Sequence, residues 1–470
     1  VTNVSQLSDV SPGDWAFEAL RSLVERYGCI AGYPDGTYRG NRAMTRYEFA
    51  AGLNACLQQI ESLIAGLDFV TREDLETLQR LTQEFEAELA TLGTRVDNLE
   101  GRVAFLEDNQ FSTTTKLNGE VIFALSGAYG NGIDENEVFQ NRVRLNLDTS
   151  FTGRDRLRTR LQARNVQSFP DVRGITNEGR RGFEGDNGND VQLDYLGYRF
   201  PVGDNITAQI FANGVGLDDL ADPLNPLNSS GGGSISRFGQ RNPIYRVGGQ
   251  NAGFGLTYDA GPLTISGGYT AGEANDPSEG AGLFNGDYAA IGQVTFSPFD
   301  ALSLAAVYVH SYSSGGLGHG TGSLASDVDA GRPVVGNSYG LEASFAFSPQ
   351  VILTGWAGYT DAIVVGRGGA DVWNYGGTLA INDFGREGST LGFVVGMEPR
   401  LTGSDRVVAL GLPDGQRQDP DVGLHVEGFY KFAVNDNIDI TPGVIWLTAP
   451  GHDADNEDIF VGTIRTRFRF

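Results

Sequence analysis

From Leu75 to Leu106 apolar side chains recur in alternating steps of three and four. Leu75, Thr82, Leu89, Val96 and Val103 form one seam, and Leu78, Phe85, Leu92, Leu99 and Leu106 the other. That period belongs to a coiled coil. Past Phe111 the period falls to two: "KLNGEVIFALSGAY" puts Leu117, Val121, Phe123 and Leu125 on one face, and "VFQNRVRLNLDTSF" and "RLRTRLQARNVQSF" follow with the same alternation. Roughly sixteen such strands run out to Phe470, each near the length of a tilted membrane strand.

The links between strands sort by parity. Short ones fall at "FTGRDR", "PVGDN", "DAGP", "SPFD", "FSPQ", "DFGREG" and "AVNDN", and long or looser ones at 170–189, 217–249, 274–285, 313–335, 362–369, 401–419 and 449–457. A transmembrane barrel has tight turns at one rim and loops at the other, whereas a soluble sandwich has no reason to sort its links. Phe200, Phe296, Phe299, Phe347, Phe384 and Phe432 gather beside the short turns, as in an interfacial girdle. The final strand, "DIFVGTIRTRFRF", places Phe460, Ile464, Phe468 and Phe470 on one face and Arg465, Arg467 and Arg469 on the other.

Before the heptads lies a small helical module. "SPGDWAFEALRSLVERYG" reads as a helix capped by Ser11 with Pro12 at its first position, burying Ala16, Leu20, Leu23, Val24 and Tyr27 and stopping near Gly28. "GYPDGTY" is a turn, and "TRYE" has capping-box spacing, so Thr45 starts a second helix expected to bury Phe49, Leu53 and Leu57. Cys29 and Cys56, the two cysteines of the chain, are read as a structural disulfide between these helices, since their spacing fits no zinc pattern.

Composition narrows the partners. The net charge of -25 excludes a basic nucleic-acid-binding surface. With 66 Gly and 10% aromatics the chain suits many strands and turns, and no apolar run is long enough for a membrane helix. A start at Val1 is what a mature exported protein would show once its signal is removed. His310, His319, His425 and His452 are scattered, with no nucleophile or metalloprotease motif beside them, so neither catalysis nor a metal or other cofactor is expected.

Three resemblances add to this. "LSDV", Trp15, "GCIAGYPDGTYRG" and "MTRYEFA" resemble the S-layer homology domain over about residues 7 to 60, with departures at Leu7, Gly40 and Tyr47. The resemblance implies that Trp15, Tyr33, Asp35, Gly36 and Arg46 line a site for an anionic, pyruvylated polysaccharide linked to peptidoglycan. "RVDNLE" and "RVAFLE" resemble the Arg-apolar-x-x-apolar-Glu motif of parallel trimeric coiled coils, with Arg95, Glu100, Arg102 and Glu107 as interchain pairs. The terminal Phe470 resembles the assembly signal of outer-membrane proteins.

Together the expectation is a two-helix S-layer homology domain over 1–65, a parallel trimeric coiled-coil stalk over 66–110 and an all-β transmembrane barrel of about 16 antiparallel strands over 111–470. That arrangement resembles the major outer-membrane porins of cyanobacteria, whose barrels belong to the carbohydrate-selective porin family. The resemblance implies a homotrimer in outer-membrane lipid, its first domain in the periplasm, passing small solutes and inorganic ions, with iron uptake suggested for some members. The alternative is a mechanical tether between outer membrane and wall with minor conductance.

A barrel of that size is expected to leave an aqueous lumen. Its second and third strands turn Arg142, Arg144, Arg156, Arg158, Arg160 and Arg164 inward, and the last strand adds Arg465, Arg467 and Arg469. Acidic residues sit largely in links, at Asp218, Asp219, Asp222, Asp327, Asp329, Asp453, Asp455 and Asp458. If the 217–249 link enters the lumen, Asp218, Asp219 and Asp222, with Arg237 and Arg241, would narrow the pore opposite the arginines and set a transverse field favouring small polar solutes and ions.

Overall fold

The computed structural model describes residues 2–14, 16–40, 42–65, 80, 114–328, 331–405, 412 and 416–470. The heptad segment, with Arg95, Glu100, Arg102 and Glu107, lies outside these residues, as does Trp15. Two compact units, Val1–Gln110 and Phe111–Phe470, divide the chain.

In the first unit, helix α1 (Phe17–Arg21) runs into a π-turn at Ser22–Arg26, and helix α2 spans Arg46–Ala65. The first helix starts later than Ser11 and Pro12 imply. The Ser11 amide is satisfied by Asp14 Oδ2 at 2.7 Å, and Asp14 N donates back to Ser11 O, so this stretch closes a turn of its own. Leu20, Val24 and Tyr27 are buried as expected, and Gly28, at φ +62°, ends the element. The core is Val4, Leu7 and Leu20, with Val10, Phe17, Ile30 and Tyr38 packed on it. The second helix contributes little to that core: Phe49, Leu53 and Leu57 are about half exposed, which corrects the expectation that they are buried. What holds α2 in place is the Cys29–Cys56 disulfide, with Cα atoms 4.5 Å apart, and a 3.0 Å bond from Tyr33 to Glu48.

The second unit is one sheet of β1 (Thr115–Tyr129), β2 (Val138–Thr149), β3 (Arg156–Val166), β4 (Gly185–Asp186), β5 (Gln192–Val202), β6 (Ile206–Asn213), β7 (Ala252–Ala260), β8 (Leu263–Ala271), β9 (Tyr288–Phe299), β10 (Leu302–Ser313), β11 (Val334–Ala346), β12 (Val351–Val364), β13 (Gly368–Asn382), β14 (Thr390–Ser404), β15 (Leu424–Asn435), β16 (Ile438–Thr448) and β17 (Ile459–Arg469). The two-residue β4 is an annex on β3; the other sixteen pair antiparallel in sequence order. β17 closes onto β1 from Glu120↔Arg469 to Tyr129↔Phe460, so the barrel has no free edge. Phe470 seals this seam: its carbonyl accepts from Gly119 N at 2.7 Å, and its ring occupies the space a side chain at position 119 would need.

Alternation then does the sorting. Leu117, Phe123, Leu125, Phe139, Leu256, Leu341, Leu353, Phe393 and Ile464 stand exposed on the outer wall. Of the aromatics beside the short turns, Phe296, Phe299, Phe347, Phe384 and Phe432 are exposed. A second aromatic row lies toward the other rim: Tyr308, Tyr339, Tyr359 and Trp373 follow one another at centroid distances of 5.2, 6.2 and 4.8 Å. Two rows flanking an apolar band are what a lipid-embedded wall requires.

One link departs from the expected parity. The stretch 362–369 is no loop: β12 and β13 reach Val364 and Gly368, leaving three residues at the turn. The ladder runs on through Ala362↔Ala370, Ile363↔Gly369 and Val364↔Gly368, above the directly opposed Asp361 and Asp371. Gly366, at φ +74°, makes the reversal possible.

Candidate functional site

The inner wall is where the sequence placed its candidate residues, and the register sets their rows. Arg144 lies opposite Glu120 and Arg142 opposite Ile122 across β1–β2, while Arg467 and Arg465 of β17 lie opposite Ile122 and Ala124. Arg164, Gln162, Arg160 and Arg158 continue the rows on β3. The arginines of β2, β3 and β17 thus share one sector of the interior, with Arg469 at its rim, exposed and donating to Asp436 O.

That interior is not uniformly wet. The 217–249 link turns inward and crosses the barrel, and its hydrogen bonds name the strands it meets. Leu224 N donates to Glu342 on β11 (2.9 Å), Tyr245 OH to Gln293 on β9 (2.7 Å), Asn242 Nδ2 to Ala357 O on β12 (3.1 Å), and Ile235 N to Glu427 on β15 (2.6 Å). Leu217, Leu220, Ile244, Tyr245 and Val247 form a dry cluster with inward Val307, Val309, Val334 and Val364. Inward glycines provide its seats: a Cβ at Gly255 or Gly268 would lie 2.8 or 2.7 Å from Leu220, and Gly340 and Gly443 leave the same room for Ile244 and Ile235. Folded-in chain therefore occupies part of the lumen that strand number alone leaves open.

The basic sector is where the link docks. Arg465 Nη2 donates to Gly233 O at 2.7 Å, and Arg142 and Arg144 both reach Ser230 Oγ, at 3.1 and 3.2 Å. Arg142 and Arg465, 1% and 0% exposed, are thus anchors of the link rather than solvated pore walls. Arg142 is neutralised by Glu120 (2.7 Å) and Arg467 by Asp439 (2.6 Å). Arg164 donates to Glu184 O. Lower in the sector, Arg158 takes both oxygens of Asp148 at 2.7 Å, and Arg160 pairs with Asp194 while lying over the Tyr195 ring. Their side chains keep 29% and 20% exposure, in contrast to the anchors above.

Of the link's acidic residues, Asp219 lies near enough to Arg158, Arg160 and Arg199 to attract them. Asp218 pairs with Arg241 inside the link, Asp219 accepts from Gly216 N, and Asp222 is exposed while its carbonyl takes Gln293. Arg237 lends its own carbonyl to Arg246.

Sequence reasoning missed a cluster in the same interior. His425 Nδ1 lies 2.7 Å from Glu398, its Nε2 3.4 Å from Glu427, and His452 Nε2 3.2 Å from Glu398 O, all buried. Thr321 hydrogen-bonds the other Glu398 oxygen, so links 314–333 and 449–458 are tied to β14 and β15 at one point. Histidines scattered in sequence converge only after closure of the barrel.

In the first unit, the Pro-Asp-Gly turn is held by Tyr33 N donating to Thr37 O (2.8 Å), with Gly36 at φ +76°. Hydrogen bonds from Thr37 and then Arg39 hold the Asp35 carboxyl down at about 2. Asp9, of "LSDV", clamps the turn from behind by accepting from Tyr38 N and Arg39 N. The capping box forms in both directions, Glu48 N to Thr45 Oγ1 (3.2 Å) and Thr45 N to Glu48 Oε2 (2.7 Å). Arg46 lies inside this box, exposed. Because α2 buries so little, Cys29→Ser is expected to destabilise this unit by about 3 kcal/mol and leave the barrel unaffected; thermal melts of the two units, resolved by limited proteolysis, measure it.

Comparison with known proteins agrees with both units. The model of the family described as carbohydrate-selective porin, OprB family, matches residues 72–470, and that of the S-layer homology domain matches 6–50. An uncharacterized protein of Nostoc sp. is 49% identical over 100% of this chain and 85% of its own length. Another from Synechocystis sp. is 41% identical, covering 100% of this chain and 91% of its own. Among solved structures, Pseudomonas putida OprB at high pH superposes with a TM-score of 0.52 at 12% identity, over 79% of this chain and 97% of that one, a likeness of fold.

Proposed function

We propose that this chain, which belongs to the carbohydrate-selective porin, OprB family, is a diffusion channel for small hydrophilic solutes and inorganic ions, joined to the cell wall through its S-layer homology domain. The barrel lies in the outer membrane with the N-terminal unit on the periplasmic side, so the short turns face the periplasm. The observation that carries the channel reading is the contrast inside the barrel. Arg158 and Arg160, with Asp148 and Asp194, remain 18–29% exposed, whereas the inward side chains that meet the docked link are buried. A water path beside the docked link, lined by these pairs and narrowed by the 217–249 segment, would favour small polar solutes. Swelling of liposomes carrying the full chain, in isotonic solutions of graded neutral solutes, tests this. Swelling with the smallest solutes and a cut-off with size support it; no swelling with any would overturn it.

The amount of packed chain in the lumen favours a second reading, in which the barrel mainly anchors a tether. The two readings share the wall-binding step. There Arg46, exposed at the start of the second helix, supplies the two-pronged grip on a carboxylate, with Tyr33, Asp35 and Gly36 shaping the turn and Trp15 placed by resemblance. Arg46→Ala is expected to weaken sedimentation with purified wall about tenfold and leave swelling unchanged. Loss of swelling in that variant would contradict separate roles for the two units. The heptads and the paired Arg-x-x-x-x-Glu motifs support assembly of three chains through the 66–110 stalk, with Arg95, Glu100, Arg102 and Glu107 pairing between chains.

A further inference from the structure

At the periplasmic end of the basic sector, Arg156 on β3 and Arg199 on β5 occupy directly opposed register positions. Both belong to the inward rows, since Arg158, two residues on, faces Gly197 and Arg160 faces Tyr195. Two cations opposed across an antiparallel pair repel, and a sheet ordinarily avoids that arrangement. Neighbouring carboxylates offset it only in part: Asp148 attracts Arg156 but gives both oxygens to Arg158, Asp219 attracts Arg199 but accepts from Gly216 N, and Asp194 pairs with Arg160. Among the described residues, Arg156 makes no direct hydrogen bond or ion pair and is exposed. Arg199 spends one nitrogen on the Asp219 backbone carbonyl at 2.5 Å, and its Nε is buried without a partner. Lys116, in register with Asp148, adds a further exposed cation on the same side.

We infer that Arg156 and Arg199 form a binding site for small inorganic oxyanions at the periplasmic mouth of the barrel. An oxyanion such as phosphate presents several acceptors to two guanidinium forks at once and relieves their repulsion. A halide cannot match the fork geometry, so the site separates oxyanions from chloride rather than anions from cations in general. The inference rests on the channel reading only for its effect on current; binding itself does not require conduction.

Two measurements on the full chain therefore test it. In calorimetric titration of the detergent-folded protein with inorganic phosphate, wild type is expected to release binding heat and Arg156→Gln/Arg199→Gln is expected to lose it. In planar bilayers under a potassium chloride bath, millimolar phosphate on the periplasmic side is expected to interrupt the current of wild type, with interruptions about tenfold rarer in the double variant. Arg154→Gln, on the exposed turn outside the lumen, removes a charge of the same sign nearby and is expected to change neither result. Equal heat from wild type and double variant, or no phosphate heat from either, would overturn the site. Phosphate heat from a chain that never conducts would leave the site standing and overturn the channel.

Discussion

Replacing residues 226–240 with a Gly-Ser segment of equal length is expected to raise single-channel conductance severalfold. The stretch contributes Leu227, Ile235 and Phe238 to the interior, at 4%, 0% and 1% exposure. Withdrawing three such side chains from water is worth about 5–9 kcal/mol, more than flexible Gly-Ser chain can recover from backbone contacts with Arg465. The replaced segment should leave its seats, and the anchors Arg142, Arg144 and Arg465 should become pore wall. Single-channel recording reads the change directly. Conductance equal to wild type would mean that this segment does not limit the path.

The second large effect belongs to Glu427. Its buried carboxylate accepts from Ile235 N at 2.6 Å and Ser236 N at 3.1 Å and lies 3.4 Å from His425. Glu427→Ala leaves two backbone donors and an imidazole nitrogen without their acceptor, at about 1–3 kcal/mol each. The link is expected to undock, moving conductance toward that of the Gly-Ser replacement while the strand ladder stays intact. Glu427→Gln keeps one acceptor and should fall between the two. Recording all three chains, with circular dichroism to check strand content, orders them. If Glu427→Ala conducts like wild type with unchanged strands, the carboxylate is not the latch.

Much of the wall was legible in the sequence because a lipid-embedded strand obeys a period of two without interruption. Phe470, the short turns and the inward arginine rows on β2, β3 and β17 were all placed by counting alone. The same count failed at 362–369, where the ladder continues through Ala362–Val364 paired with Gly368–Ala370. The filled interior was hidden for a different reason. Its signal was glycine at inward positions, Gly255, Gly268, Gly340 and Gly443, and composition alone assigns glycine to turns. A seat is recognisable only once the side chain that fills it, Leu220, Ile244 or Ile235, is known to be opposite.

In the first unit, capping and turn chemistry are local and were readable, as Thr45 with Glu48 and the Pro-Asp-Gly turn show. Burial is not local. The spacing of Phe49, Leu53 and Leu57 marks an apolar face but cannot say what covers it, and within this unit they stay half exposed. Ser11 and Pro12 likewise carry helix-start signals that a competing Ser11–Asp14 turn overrides. The meeting of His425, His452 and Glu398 depends on closure across distant strands, beyond any local pattern.

The central claim is that ions cross the membrane through this barrel along a path narrowed by a docked link. Single-channel recording of the unmodified full chain in planar bilayers tests it most directly. Discrete steps of small, ohmic conductance are the predicted result. A chain that is folded, inserted and electrically silent at every potential would contradict it.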